Sequence, residues 1–538
     1  MFHKREKEYR SADVPPTKRL KANIGDLFLA NQTSGQRAQE LFEDANAAGL
    51  TQAKELCKGL GSDYAVKLIQ SPNAARDLSR RLLKRCLWPH VYFASIPVLD
   101  LKKQTETTID LPFLLPHDHA CKKDLLQRSG MCEASLAHLL KMEQEFDASG
   151  LGEANKGLRL PITVIPKHFC IKFRTFDCIL GVVAWSMQQA CMGIMPRRRH
   201  DGSEWSQDSD AARARWGGSS IGLRSFLLEV RGDWAMRKDI FAFPGWKENT
   251  GICHVCRCNT ETMDQFDAEA EWKVQPPLEH WELMDRIMFR GMHISQVFGC
   301  PGLTAKQILF DWLHNFDQGI TADFLGNVFY HLISQEGYLP GTSRPQKIKE
   351  LYKKLRQYYS SDGNMSTDSR LNTLTETMIR KTSTSSPKLR AKAAEARALV
   401  PFVLQLCQEA FPPNACTEKE ACIREAAVRL QDCYAMLQND RYNQEALVAS
   451  CTQFCLLVKA LRDPEACFWK IKPKHHGALE VCLQQGSPSL TWTYRDEDMG
   501  GYLASLARLK GGSHNPRSVA FSVLQRWRAK GLPHLNPS

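Results

Sequence analysis

Two cysteines with two residues between them, Cys253 and Cys256 in Gly251-Ile252-Cys253-His254-Val255-Cys256, have the spacing that lets a thiolate pair chelate one Zn²⁺. A closed structural site needs two more ligands. No second pair of this spacing occurs, and Lys474-His475-His476 is the nearest analogue downstream. The alternative is two free thiols in a core. Carboxylates form the second group. Asp233 follows the apolar run Ser225–Arg231; Asp311-Trp312-Leu313-His314 places an acid and an imidazole three residues apart; Asp496, Glu497 and Asp498 are consecutive. Two or three carboxylates converging on paired divalent ions would support phosphoryl transfer, and hard oxygen ligands suit Mg²⁺. Each acid also has an ordinary alternative. Asp233 could cap a helix. Asp311 and His314 share a helix face and could simply bond each other. The three consecutive acids could line a solvated surface, with only one able to face an ion.

The elements that must position these groups are mixed. Residues 1–22 read as a basic, disordered arm, and Pro15-Pro16-Thr17-Lys18-Arg19-Leu20-Lys21 is compatible with nuclear import. Residues 23–157 read as a mainly helical N-terminal region, with Arg76, Arg80, Arg81, Lys84 and Arg85 clustered on one helix. From 158 to 335 strand signals appear. Leu160–Ile165 is β-branched, Phe169–Phe173 alternates, and Ser225–Arg231 reads as a buried strand that stops before Asp233. A helix is expected over about 176–195. Residues 336–469 read as a helical insertion, and 470–538 carry the last acids.

The 538-residue chain is long enough for roughly three or four domains. Its 71 Lys and Arg against 59 Asp and Glu give a net charge of +12, which favours a polyanionic partner through counterion release. The 19 cysteines are dispersed, and Met1–Lys7 is charged where a secretory leader would be apolar, so a reducing compartment is expected. The longest apolar stretch, Cys178–Met195, is interrupted by Gln188 and Gln189 and reads as a buried helix, so no membrane partner is expected. No phosphate-cradling Gly-x-x-x-x-Gly-Lys loop occurs.

Taken in order, these segments resemble CACTA-type DNA transposases over about 158–510. Asp233-Trp234-Ala235 is similar to the family's Asp-x-Pro-Ala, and Gly251–Cys256 to its Gly-Cys-x-x-Cys. Asp311-Trp312-Leu313-His314-Asn315 is similar to Asp-Pro-Met-His-Asn, Pro473-Lys474-His475-His476 to Pro-Lys-x-His, and Tyr494–Gly501 to Phe-x-x-Glu-x-x-x-Gly. The resemblance implies a mixed α/β, RNase H-like sheet flanked by helices and interrupted by the helical insertion. It implies DNA as partner, a nuclear location and assembly as a homo-oligomer. It implies Asp233 and Glu497 as catalytic acids for Mg²⁺ or Mn²⁺, and a structural Zn²⁺ on Cys253 and Cys256 completed by His475 or His476. The family's first acid should end an earlier strand. The strand expected at Leu160–Ile165 leads instead to Lys167, with Asp177 and Asp201 the nearest acids, which implies a retained fold with strand cleavage lost.

Overall fold

The computed structural model describes residues 90–120, 161–246, 248, 251–361, 369–438, 441–463, 465–509 and 515–530. The basic arm, the Arg76–Arg85 cluster and most of 23–157 lie outside the described residues. The described chain is mixed α/β and mostly helical, with two small sheets. None of its helices is long and apolar enough to cross a membrane. It divides into two compact units. Among the described residues, the first takes 90–120, 161–225 and those from 498 to 530; the second takes those from 226 to 497.

The first unit is built on a hairpin of β1 (Tyr92–Asp100) and β2 (Thr105–Phe113), paired antiparallel from Tyr92↔Phe113 to Asp100↔Thr105. Strand β1 alternates as a half-buried strand must: Tyr92, Ala94, Ile96 and Val98 are buried against Ile179 and Val182 of helix α1 (Arg174–Met192) and against Phe169 and Trp205. The hairpin turn is held by the Asp100 carboxylate, which accepts from the backbone of Lys102 and Lys103. Within the region read as mainly helical, the described residues 92–113 are therefore a hairpin, and their period-2 pattern is present in the sequence.

Three further expectations need correction. Residues 161–166 are not a strand, although Leu114 donates to the Ile162 carbonyl beside β2. Lys167 begins a short 3₁₀ turn, Lys167–Phe169, so it does not stand at a strand end. The run from 225 shortens to a two-residue strand, β3 (Val230–Arg231). Asp177 lies in the first turn of α1, and Asp201 sits in an exposed turn bonded to Ser203.

In the second unit β3 pairs in parallel with β4 (Ile308–Leu309), Val230 against Ile308 and Arg231 against Leu309. Helix α2 (Trp234–Phe241) follows β3. After β4 comes a π-helix, Leu313–Thr321, broken at Gly319, and then α3 (Ala322–Ser334). Residues 336–469 hold the helices α4 (Arg344–Ser360), α5 (Val400–Ala410), α6 (Glu418–Ala435) and α7 (Gln444–Ala460). Helices α8 (Pro473–Leu483) and α9 (Tyr494–Leu509) follow. One continuous core joins Phe316, Phe324 and Val328 with Ile423, Leu430, Phe454, Val458 and Leu479. Helix α8 lies so close to the π-helix that a Cβ on Gly477 would collide with the Asn315 side chain, which explains glycine there.

Candidate metal centre and acidic cluster

Proline at the first position of α8 fixes its start, and the helical repeat then puts residues four apart on one face. His476 and Glu480 are such a pair, with Nε2 and Oε1 3.2 Å apart. The Cys256 sulfur lies 3.3 Å from the same His476 nitrogen, and the Cys253 sulfur lies 3.6 Å from Glu480 Oε1. All four side chains are buried, with one ligand atom from each within 4.8 Å of the others. A tetrahedral Zn²⁺, with Zn–S of ~2.3 Å and Zn–N or Zn–O of ~2.0 Å, sets its ligand atoms roughly 3.3–3.8 Å apart, so the donor set fits that ion. Burial pushes the Cys253 thiol well above its ordinary value. A coordinated cation reverses this, because a ligating thiol is deprotonated outright. Trp272 meets the His476 ring edge-on at 4.5 Å and closes the pocket.

The structure therefore gathers Cys253, Cys256 and His476 and leaves His475 out. The next residue on a helix points about 100° away, and His475 Nδ1 instead pairs with the backbone of Lys472 at the helix start. Glu480 was not anticipated; its signal was the four-residue step from His476. His254, between the cysteines, turns to the Ile308 carbonyl and stacks between Phe243 and Phe310, tying the cysteine turn to β4.

The acids lie beyond the parallel pair. Asp233 and Asp311 each follow their strand by two residues, from partners Arg231 and Leu309. Asp233 caps α2, accepting from Met236 N at 2.6 Å. Asp311 is 1% exposed. One of its oxygens accepts from His314 N at 3.0 Å and faces His314 Nδ1 at 2.7 Å; the other accepts from Thr493 N at 3.0 Å. Burial opposes its charge, but these bonds from His314 and Thr493 prevail and hold the carboxyl below its ordinary range. The far nitrogen of His314 lies 3.1 Å from Glu497 Oε1. One imidazole thus spans two carboxylates that are 186 residues apart in the chain (497 − 311). Asp496 and Asp498, on either side of Glu497, are exposed.

Two cations connect these groups. Arg237 is buried, with its guanidinium 4.0 Å above the Phe310 ring. Burial lowers its pKa to about 10, against the opposing charges of Cys253, Asp233, Asp311 and Glu480. Lys474 Nζ donates to the His314 carbonyl at 2.7 Å. Burial, and then Lys388, lower its pKa to about 8, against the pull of Asp323 and Asp233.

Glu497 is positioned through its own helix. Tyr494, one turn earlier on α9, donates to Asp317 Oδ2 at 2.7 Å, and Tyr434 donates to the other oxygen at 2.5 Å. Burial raises the Asp317 carboxyl to about 7 despite these bonds. No protein-family model matches the chain, and neither a curated protein nor a solved structure matches it.

Proposed function

We propose that the chain is a transposase-derived DNA-binding protein whose second unit carries a metal-dependent phosphodiester centre on Asp233, Asp311 and Glu497. The observation that carries this reading is the pair of acids leaving adjacent parallel strands at matched positions, with Glu497 tied to Asp311 through His314. Two acids at neighbouring parallel strand ends and a third on a later helix suit an RNase H-like centre. This reading also supplies the acid missing from the sequence expectation. Asp311 stands as partner to Asp233, so nothing is required of Lys167.

A divalent ion pair bound there, Mg²⁺ or Mn²⁺, would activate the attacking oxygen and stabilise the leaving one. The chain's own residues do the rest. Thr493 N and His314 fix the Asp311 carboxylate. His314 aligns Glu497, and Tyr494 with Asp317 fixes the start of its helix. Cys253, Cys256, His476 and Glu480 would hold a structural Zn²⁺ that locks α8 to the cysteine turn. The positive net charge supports DNA as the partner, and nuclear location and homo-oligomeric assembly belong to the same reading.

A second reading rests on one observation: both oxygens of Asp311 already accept protein hydrogen bonds. On that reading the protein is a zinc-stabilised DNA-binding or protein-interaction module without chemistry. Incubation of the purified full chain with supercoiled plasmid and Mg²⁺ or Mn²⁺ separates the two. Metal-dependent nicking lost in Asp311→Asn supports the enzyme. Salt-sensitive binding without nicking supports the module, and neither binding nor nicking overturns the DNA reading.

A further inference from the structure

Three lysines from segments far apart in sequence converge where the π-helix breaks. Gly319 departs from helical geometry at φ −105° and ψ −111°, and two of the lysines donate to carbonyls of the turn before it. Lys388 Nζ donates to Gln318 O at 2.7 Å, and Lys474 Nζ donates to His314 O at 2.7 Å and approaches Gln318 O at 3.4 Å. Lys472 Nζ donates to Asp323 Oδ1 at 2.7 Å, with Lys388 Nζ 3.9 Å from the same oxygen.

Capping alone does not account for this arrangement. A backbone carbonyl is satisfied by a neutral donor, and one carboxylate balances one ammonium. Here Lys472 and Lys388 both approach one oxygen of the buried Asp323 carboxylate, the second oxygen accepts no hydrogen bond among the described residues, and Lys474 adds a third ammonium bonded to backbone carbonyls. Each ammonium carries three donors. Lys388 and Lys472 each commit one, and Lys474 commits two, so five N–H groups stay available to a ligand. Lys388 and Lys472 are 39% and 28% exposed, so an anion can reach them. Lys474 leads on to the acids, through its bond to the His314 carbonyl and the field of Asp233. An anion with several oxygens, able to accept from two or three ammoniums at once, is a phosphate.

We propose that Lys388, Lys472 and Lys474 form a phosphate-binding subsite that holds one backbone phosphodiester of a nucleic-acid strand beside the Asp233–Asp311–Glu497 centre. This rests on the reading of that centre as phosphodiester-processing. The subsite contributes charge and position and reads no base. Lys474 locks the turn that carries His314, and Lys388 and Lys472 hold the strand.

The test uses the full chain, a labelled DNA duplex of generic sequence and inorganic pyrophosphate as a small probe. Binding is measured against salt for wild type, Lys388→Gln, the double variant Lys388→Gln/Lys472→Gln and the matching double arginine variant. The double glutamine variant is expected to bind DNA roughly tenfold more weakly, with a salt slope shallower by about one to two. It should also lose pyrophosphate binding, while the arginine variant retains both. Lys388→Gln, at the most exposed of the three, should show about half the change in slope and guards against a misfolded double variant. DNA binding that is unchanged in affinity and slope overturns the subsite and leaves the acidic centre to be judged by nicking. Pyrophosphate binding lost in the variant, in a protein that never binds DNA, keeps the subsite and overturns the DNA reading. A wild type that binds neither probe overturns the subsite.

Discussion

His476 and Glu480 sit one turn apart on α8 and hold Nε2 and Oε1 at 3.2 Å, close to one edge of a Zn²⁺ coordination tetrahedron. The other vertices, Cys253 and Cys256, come from a turn more than 200 residues earlier, 476 − 256 = 220. An ion at this point would be a covalent-strength staple between two distant segments.

The purified protein is therefore expected to carry one zinc per chain by elemental analysis. Cys256→Ser and Glu480→Ala should each weaken retention against a chelator by at least about tenfold, and both should lower the thermal midpoint, because binding energy at a closed site is folding energy. Glu480→His should restore retention. His475→Ala should keep the full zinc content, and loss of the ion in that variant would move the ligand assignment from His476 to His475.

Asp233 has two roles that one substitution separates. Asparagine caps a helix as well as aspartate does, so Asp233→Asn should keep the thermal midpoint within about 2 °C. Glu497→Gln should behave similarly, since Glu497 is 44% exposed. Both should reduce metal-dependent nicking by about a hundredfold or more in the plasmid assay. Full nicking activity in either variant would remove that acid from the centre.

His314 lies between Asp311 and Glu497, with Nδ1 2.7 Å from one carboxylate and Nε2 3.1 Å from the other. His314→Ala should loosen the first turn of α9, read as faster amide exchange over residues 494–500. It should also raise the metal concentration needed for half-maximal nicking. Unchanged exchange there would mean that His314 does not position Glu497.

Asp317 supplies a pH dependence. Its pKa is raised to about 7 in the fold against an ordinary 3.8. Between these values the folded state binds the extra proton, so the stability this group contributes is fully present below about pH 4 and is lost as pH rises through 7. Asp317→Asn cannot titrate. Relative to wild type, the variant should gain on the order of 2 kcal/mol of stability between pH 5 and pH 8. A stability difference that stays flat over that range would show that Asp317 is ionised throughout.

Much of the local chemistry was written in the sequence. The two-residue gap between Cys253 and Cys256 forces their sulfurs to one side of a turn. The three-residue step from Asp311 to His314 brings the two side chains into contact, and that contact is present at 2.7 Å. The long amphipathic helices between residues 344 and 460 were legible because many residues repeat one period. The alternation of Tyr92, Ala94, Ile96 and Val98 was equally plain, although that region read as helical. The strands β3 and β4 had too few residues to carry any pattern, and the run at Leu160–Ile165 had strand composition without a partner to pair it.

Tertiary structure decided which of these groups meet. A sequence states that two adjacent histidines point in different directions, but the packing of α8 against the π-helix at Gly477 sets which one faces the cysteines. That rotation selected His476 and, one turn on, Glu480. Parallel pairing of β3 with β4 matched Asp233 to Asp311 across 78 residues (311 − 233). The fold of the intervening helices then returned Glu497 to His314. Chain spacing governs neighbours within a turn or two; beyond that distance, burial of the shared core determines which side chains share a site.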